Sequence, residues 1–410
     1  MGDERGETSE DWLRAAFFRY VCQTSPEPLG IVVDRAAGAT VWDTQGHVYL
    51  DLLSGIGVAN VGHSHPEVVR AVQEQAARYL HVLVYGEAIE APQVELARRL
   101  AAQTPADLDV TFFTNSGAEA VEGALKTARK FTGRSGFVAF DGGFHGDTLG
   151  ALSVGGNPVY RRPFEPLLPS VRFLPFDDPA AFAAIDESVA AVIVEPIQGE
   201  GGVRIPHDEF LPALRRRCTD AGALLIFDEV ITGFGRTGRL FACEHWNVVP
   251  DLLVLAKALG GGMPLGAFVG RREIMATLSH DPPLAHVTTF GGHPVSCAAG
   301  LAALNALVRE QLPARAAHMG EQWRLHLAER IGERLRAVRG KGLLIGLEFA
   351  DAQTTQRFAR ACFARGLIVN WTLHRDTVIR LAPPLIISDD ESQRALAQLS
   401  AALQSLTPNP

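Results

Sequence analysis

Short apolar runs alternate with helix-period segments through the middle of the chain. Val110–Phe113, Phe137–Phe140, Ala191–Val194, Leu224–Phe227 and Leu252–Leu255 are each largely apolar and run into a polar or glycine-rich turn. Runs this short, set between helical stretches, read as buried strands of a parallel sheet with crossover helices. A helix is predicted from Gly117, because Ala118, Val121, Leu125 and Ala128 fall on one face. After Pro294 the pattern changes to long helical stretches broken at Pro313, then short strands at Leu343–Glu348 and Thr377–Leu381, then a last helix near Asp390–Leu406. The expected class is α/β, with a large domain over residues 61–305. A smaller α+β domain is expected to combine residues 306–410 with an N-terminal segment, residues 1–60.

In open sheets of this kind ligands gather at the carboxyl ends of the strands, where loops and helix N-termini converge. The segments that follow the predicted strands are Asn115-Ser116-Gly117, Gly142-Gly143-Phe144-His145, Glu195-Pro196, Asp228-Glu229 and Lys257. Chemistry is therefore expected there.

Composition narrows the classes. The chain has 410 residues, 47% hydrophobic and 20% charged, which suits a soluble protein of two or three domains. A formal charge of −8 offers no basic footprint for nucleic acid or an anionic membrane. Arg215-Arg216-Arg217 reads as a solvated helix face. No apolar run is long enough to span a bilayer. The acidic start and the arginines within Trp12–Val21 are unlike a signal segment, so the expected location is the cytoplasm. The five cysteines are odd in number, widely spaced and free of CxxC pairs, which indicates neither a disulfide framework nor a zinc site. Gly62-His63-Ser64-His65-Pro66-Glu67 reads as a turn into a helix, and no metal is expected.

Lysine is scarce: Lys126, Lys130, Lys257 and Lys341 stand among 38 lysines and arginines together. Lys126 and Lys130 fall on the polar face of the helix from Gly117, and Lys341 sits between two glycines in what reads as an exposed turn. Lys257 ends the apolar run Leu252–Leu255. Burial disfavours its ammonium form, and a neutral amine is the nucleophile that attacks an aldehyde. The alternative is a lysine reaching outward from a strand end.

Asp228 follows Leu224–Phe227, so a carboxylate stands at the mouth of a buried strand and needs a partner. A protonated pyridine nitrogen would serve; so would Arg236. Thr114-Asn115-Ser116-Gly117 turns into a helix and is either a phosphate site or an ordinary N-cap. Phe144 follows a strand and is placed to stack on a flat ring or to fill core. Gly233 to Gly238 spells GxGxxG but begins past the first strand-to-helix turn that a dinucleotide site requires.

Taken in order, Asn115-Ser116-Gly117-Ala118-Glu119-Ala120, Phe144-His145-Gly146, Glu195-Pro196-Ile197-Gln198-Gly199-Glu200-Gly201-Gly202, Asp228-Glu229-Val230, Gly233-Phe234-Gly235-Arg236-Thr237-Gly238, Lys257 and Thr288-Thr289-Phe290-Gly291-Gly292 resemble the class III aminotransferases. These are a subgroup of the fold-type I pyridoxal-phosphate enzymes. The resemblance spans roughly Leu29 to Leu406. It implies a mostly parallel seven-stranded sheet, a homodimer with shared active sites, and pyridoxal 5'-phosphate as cofactor. Lys257 would hold that cofactor as a Schiff base and shuttle the proton, and Asp228 would pair with its ring nitrogen. Ser116, Gly117 and Ala118 would bind its phosphate, with Thr289 reaching in from the partner subunit. Phe144 and Val230 would cover the two ring faces, with His145 and Glu195 beside them. Arg380 would grip a substrate carboxylate, and Glu200 would pair with Arg380 when no carboxylate is present.

Two departures bear on substrate. Ile231 replaces a glutamine that several relatives direct at the ring hydroxyl. Asp147 stands where ornithine-type and acetylornithine-type relatives often carry arginine. With Phe241-Ala242-Cys243-Glu244-His245, His286-Val287-Thr288-Thr289-Phe290 and Gln311-Leu312-Pro313-Ala314 closest in wording to putrescine aminotransferases, the expected reaction moves an amino group from a terminal amine to a 2-oxo acid, 2-oxoglutarate first. The donor would be a diamine such as putrescine or cadaverine, or an ω-amino acid. The alternatives are an acetylornithine-, ornithine- or 4-aminobutyrate-type enzyme, and an isomerase or decarboxylase of the same fold.

Overall fold

The computed structural model describes residues 10–330, 332 and 334–406. A helix, Glu10–Tyr20, precedes an antiparallel meander of β1 (Val33–Ala37), β2 (Thr40–Asp43) and β3 (Val48–Asp51). Helix Pro66–Arg78 starts where the sequence places it, with His65 accepting from Glu67 N–H and proline in the first turn.

All five apolar runs form strands: β4 (Val110–Thr114), β5 (Gly136–Phe140), β7 (Val189–Val194), β8 (Leu224–Asp228) and β9 (Leu252–Leu255). The pattern missed β6 (Val171–Leu174), a half-exposed edge strand carrying Arg172, and β10 (Gly266–Gly270), framed by glycines. Together they make a seven-stranded sheet in the order β4-β10-β9-β8-β7-β5-β6. Only β10 runs against the rest, pairing antiparallel with both β4 and β9.

Every residue of β7, β8 and β9 is buried. Each such Val, Leu, Ile or Phe contributes roughly 1.5–3 kcal/mol relative to exposure, which locks register and therefore the position of whatever follows the strand. Helix Gly117–Thr132 packs on the sheet through Val121, Leu125 and Ala128, the predicted stripe.

The last third adds an antiparallel sheet of β11 (Ala337–Lys341), β12 (Leu344–Glu348), β14 (Asn370–Thr372) and β15 (Arg375–Leu381), in the order β11-β12-β15-β14. The short strand β13 (Leu367–Ile368) instead pairs parallel with β3. The last helix is Asp389–Gln404, capped by Ser388 and Glu391.

Two local readings change. Only Arg216 of the arginine run is exposed; Arg215 donates to the buried Asp251 at 2.7 Å, and Arg217 to Phe182 O at 3.2 Å. The aliphatic stems lie along the protein while the charges find acceptors, which a count of charge cannot reveal. Lys341 is half-buried at the end of β11, with its amine 5.7 Å from the centre of the Trp246 ring. Helix Pro294–Arg309 is followed by helix Leu312–Ala328, with Gln311 between them at a φ of +53°.

Candidate active site

The carboxyl ends of β4, β5, β7, β8 and β9 converge on a cavity of about 410 Å³. Its lining includes Ser116, Gly117, Ala118, Phe144, His145, Glu195, Glu200, Asp228, Val230, Ile231 and Lys257. Sequence-distant segments meet here because each leaves the same edge of one locked sheet.

Asp228 is the last residue of β8 and is 3% exposed. Its Oδ2 accepts from His145 Nδ1 at 2.8 Å and its Oδ1 from Val230 N–H at 3.0 Å. A carboxylate can only accept, so His145 carries its hydrogen on Nδ1. The salt bridge to Arg236 allowed by the sequence does not form. Arg236 is fully buried elsewhere, donating to Leu343 O at 3.0 Å, Pro383 O at 2.6 Å, Ser54 Oγ at 3.1 Å and Asn60 Oδ1 at 2.5 Å. Burial pulls it down to about 9, with Asp51 opposing, so it remains a cation at neutral pH.

Lys257 follows β9 by two residues, in the turn that reverses the chain into β10. Its φ of +48° is a left-handed conformation for a side-chain-bearing residue, a strain on the order of 1–3 kcal/mol tolerated where the surroundings impose it. Burial lowers the pKa of its amine below the usual lysine range, against the pull of Glu200 and Asp228. Lys126, by contrast, is exposed and donates to Ala285 O at 3.3 Å.

The helix starting at Gly117 aims its N-terminus at the cavity. Ser116 Oγ accepts from Glu119 N–H at 3.2 Å and Ser116 O from Ala120 N–H at 3.1 Å. The N–H groups of Gly117 and Ala118 thus have no acceptor within the helix, the arrangement that binds phosphate. A Cβ at Gly117 would lie 3.1 Å from a Val230 methyl, a tight contact that would require Val230 to shift by a few tenths of an ångström.

Glu195 accepts from Phe144 N–H at 2.9 Å and Gly199 N–H at 2.8 Å, orienting both loops, while burial raises its pKa. Glu200 pairs with the buried Arg380 of β15. Burial alone would raise Glu200, but Arg380 and the N–H of Leu373 hold it below the ordinary value.

Three predicted residues stand outside the lining: Arg380, which pairs with the lining residue Glu200, and Thr289 and Asp147. Thr289 is exposed, while its neighbour Thr288 accepts from Asn115 Nδ2 at 3.0 Å. Asp147 is exposed too, but its charge acts on Tyr160 and His374, which the sequence reading missed. Met263, Pro264 and Leu265 also line the cavity and were missed, although the glycine run Gly260–Gly262 after Lys257 marks a tight turn that would bring them back.

A strained lysine, a buried carboxylate braced by histidine and an N-terminal phosphate cradle fit a phosphorylated aldehyde with a basic ring, which places the protein among enzymes that use such a cofactor. The family model described as aminotransferase class-III matches residues 21–403. The chain is 48% identical over 371 residues to an acetylornithine aminotransferase of Methanopyrus kandleri, covering 90% of this chain and 93% of that one. It is 45% identical over 412 residues to a putrescine aminotransferase of Pectobacterium atrosepticum, covering 97% and 87%. The structure of an ornithine aminotransferase from Toxoplasma gondii, with partial occupancy of pyridoxal phosphate at its active site, superposes with a TM-score of 0.90 at 33% identity, covering 97% and 94%. The chain belongs to the class III aminotransferases. Its cofactor is pyridoxal 5'-phosphate.

Among the described residues no helix is long and apolar enough to cross a membrane, and no group of three or more His, Cys, Asp or Glu is placed to hold a metal.

Proposed function

We propose that this aminotransferase takes its amino group from a diamine such as putrescine or cadaverine and passes it to a 2-oxo acid, 2-oxoglutarate first. The observation that carries this is the charge of the site. The cavity lining holds Asp228, Glu195 and Glu200 against Lys257, and Asp376, Glu200 and Asp147 all act on Tyr160 beside it. A donor that ends in a second ammonium gains from that field, whereas a donor carboxylate meets repulsion until Arg380 is freed.

Pyridoxal 5'-phosphate, when bound, supplies the electron sink that lets the carbon beside the donor amine lose a proton. Lys257 would hold it through Nζ, and the same Nζ, when free, would carry the proton. Asp228, braced by His145, would keep the ring nitrogen protonated. The N–H groups of Gly117 and Ala118 would bind the phosphate, with Phe144 and Val230 covering the ring. Arg380 would take the acceptor's carboxylate once Glu200 lets go; its planar fork suits either carboxylate.

A homodimer belongs to the same proposal. Thr289 is exposed, and beside it an apolar groove is lined by Val84, Tyr85, Phe112, Leu284 and Val287. A second copy seated there would receive Thr289 at its phosphate site. We also divide the chain into a large domain, residues 61–305, and a small one built from both ends, residues 1–60 and 306–410.

A second reading has its own support. Arg380 is a buried cation, and the 48% identity to an acetylornithine aminotransferase stands beside 45% to the putrescine enzyme. The test is turnover of the purified enzyme with putrescine, cadaverine, N-acetylornithine and 4-aminobutyrate against 2-oxoglutarate and pyruvate. A diamine with 2-oxoglutarate is expected to be fastest; faster turnover of N-acetylornithine would overturn the proposal in favour of the second reading.

A further inference from the structure

Glu200 is held by more than Arg380. Its Oε2 accepts from Leu373 N–H at 2.7 Å, and its backbone carbonyl accepts from His374 N–H at 3.1 Å. Leu373 and His374 form the two-residue turn between β14 and β15, and Arg380 lies further along β15, so a single hairpin grips both oxygens of one carboxylate.

That turn is itself fastened. Tyr160 Oη donates to Leu373 O at 2.9 Å, and its ring stacks on His374 with centres 5.0 Å apart and planes 24° from parallel. His374 Nδ1 donates to Gly142 O at 3.3 Å, and its ring meets Phe144 edge-on at 5.5 Å. Phe144 lines the cavity, so the turn also touches the wall against which substrate and cofactor lie. Burial and the nearby Asp376, Glu200 and Asp147 raise the Tyr160 phenol above its ordinary range, so it keeps its proton and stays a donor.

We propose that the Leu373–His374 turn is a latch on the Glu200–Arg380 pair, held shut by Tyr160, and that the latch sets how readily Arg380 is released to a substrate carboxylate. Tyr160 and His374 are then positioning residues for dual-substrate use. Their effect would be confined to carboxylate-bearing ligands, because an amine without a carboxylate has no call on Arg380. The inference rests on the reading of Arg380 as the carboxylate site.

The test is binding rather than turnover. Absorbance titration of the holoenzyme with glutarate and, separately, with propylamine gives two dissociation constants. Tyr160→Phe keeps the ring but loses the bond to Leu373 O. It is expected to tighten glutarate binding about two- to ten-fold, the range one hydrogen bond carries, with propylamine unchanged. His374→Leu, which keeps the main-chain donors and loses the ring contacts, should act in the same direction. In a Glu200→Gln background, where the pair is already broken, Tyr160→Phe should add nothing. Equal shifts for both ligands, an unchanged glutarate constant, or an effect that persists beside Glu200→Gln would overturn the latch. If neither wild type nor Glu200→Gln binds glutarate, the reading of Arg380 fails, and the latch with it.

Discussion

His145 Nδ1 sits 2.8 Å from Asp228 Oδ2 with both side chains out of solvent, so the carboxylate at the end of β8, whose Oδ1 already accepts from Val230 N–H, has a donor on each oxygen while it lines the cavity. The pair explains how a carboxylate persists in a setting where an unpaired charge costs several kcal/mol. Asp228→Asn should keep the fold and lower the rate of the first half-reaction on the order of 10²–10³-fold, as losing one preorganised charge does. Stopped-flow absorbance with a diamine measures it, and a loss under ten-fold would contradict the role given to Asp228.

Lys257 supplies a pH test in the apoenzyme. Burial lowers its pKa in the folded protein below the unfolded value, so between the two values the unfolded chain binds more protons. Stability therefore rises with pH across that window and levels off above the usual lysine range. Apo Lys257→Met lacks the penalty, and its stability advantage over apo wild type should shrink as pH rises toward that range. Denaturant midpoints from pH 7 upward check this; an advantage that grows with pH would refute the assignment.

Arg380 should separate the two halves of the reaction. Arg380→Met leaves Glu200 without its buried partner and removes the fork for a carboxylate. The KM for 2-oxoglutarate is expected to rise roughly 10- to 100-fold, the worth of a hydrogen bond to a charged group, with the diamine half-reaction affected far less. Equal losses in both halves would mean that Arg380 is structural.

Arg236 should be the opposite case, important to the fold and remote from chemistry. Arg236→Met would strand the acceptors on Leu343, Pro383, Ser54 and Asn60. A loss of about 3 kcal/mol or more is expected from several buried groups left without partners. Chemical denaturation monitored by circular dichroism measures it, and a shift under about 1 kcal/mol would contradict the buried role.

Much of the catalytic floor was legible without coordinates. β7, β8 and β9 are apolar runs because both faces of a central parallel strand are covered, and burial of that kind is written in consecutive residues. Lys257 and Asp228 follow such strands directly, so strand and functional group are neighbours in the chain. With few lysines to choose from, elimination pointed to the same residue that the fold places in the cavity.

Relationships between segments far apart in the chain were decided by tertiary structure alone. The GxGxxG-like stretch gave no hint that Arg236 would bind the chain near residues 54, 60, 343 and 383 together. Nor could the arginine run show that Arg215 and Arg271 share Asp251. Tyr160 and His374 are 214 positions apart and carry no motif; their rings meet because β14 and β15 fold back over the loop after β5. Sequence determined which residues could do chemistry, since polarity and local period are properties of neighbours along the chain. Which of them share an electron pair, a proton or a charge was settled only when packing of the sheets set their distances, because hydrogen bonds and buried ion pairs depend on separations of a few tenths of an ångström.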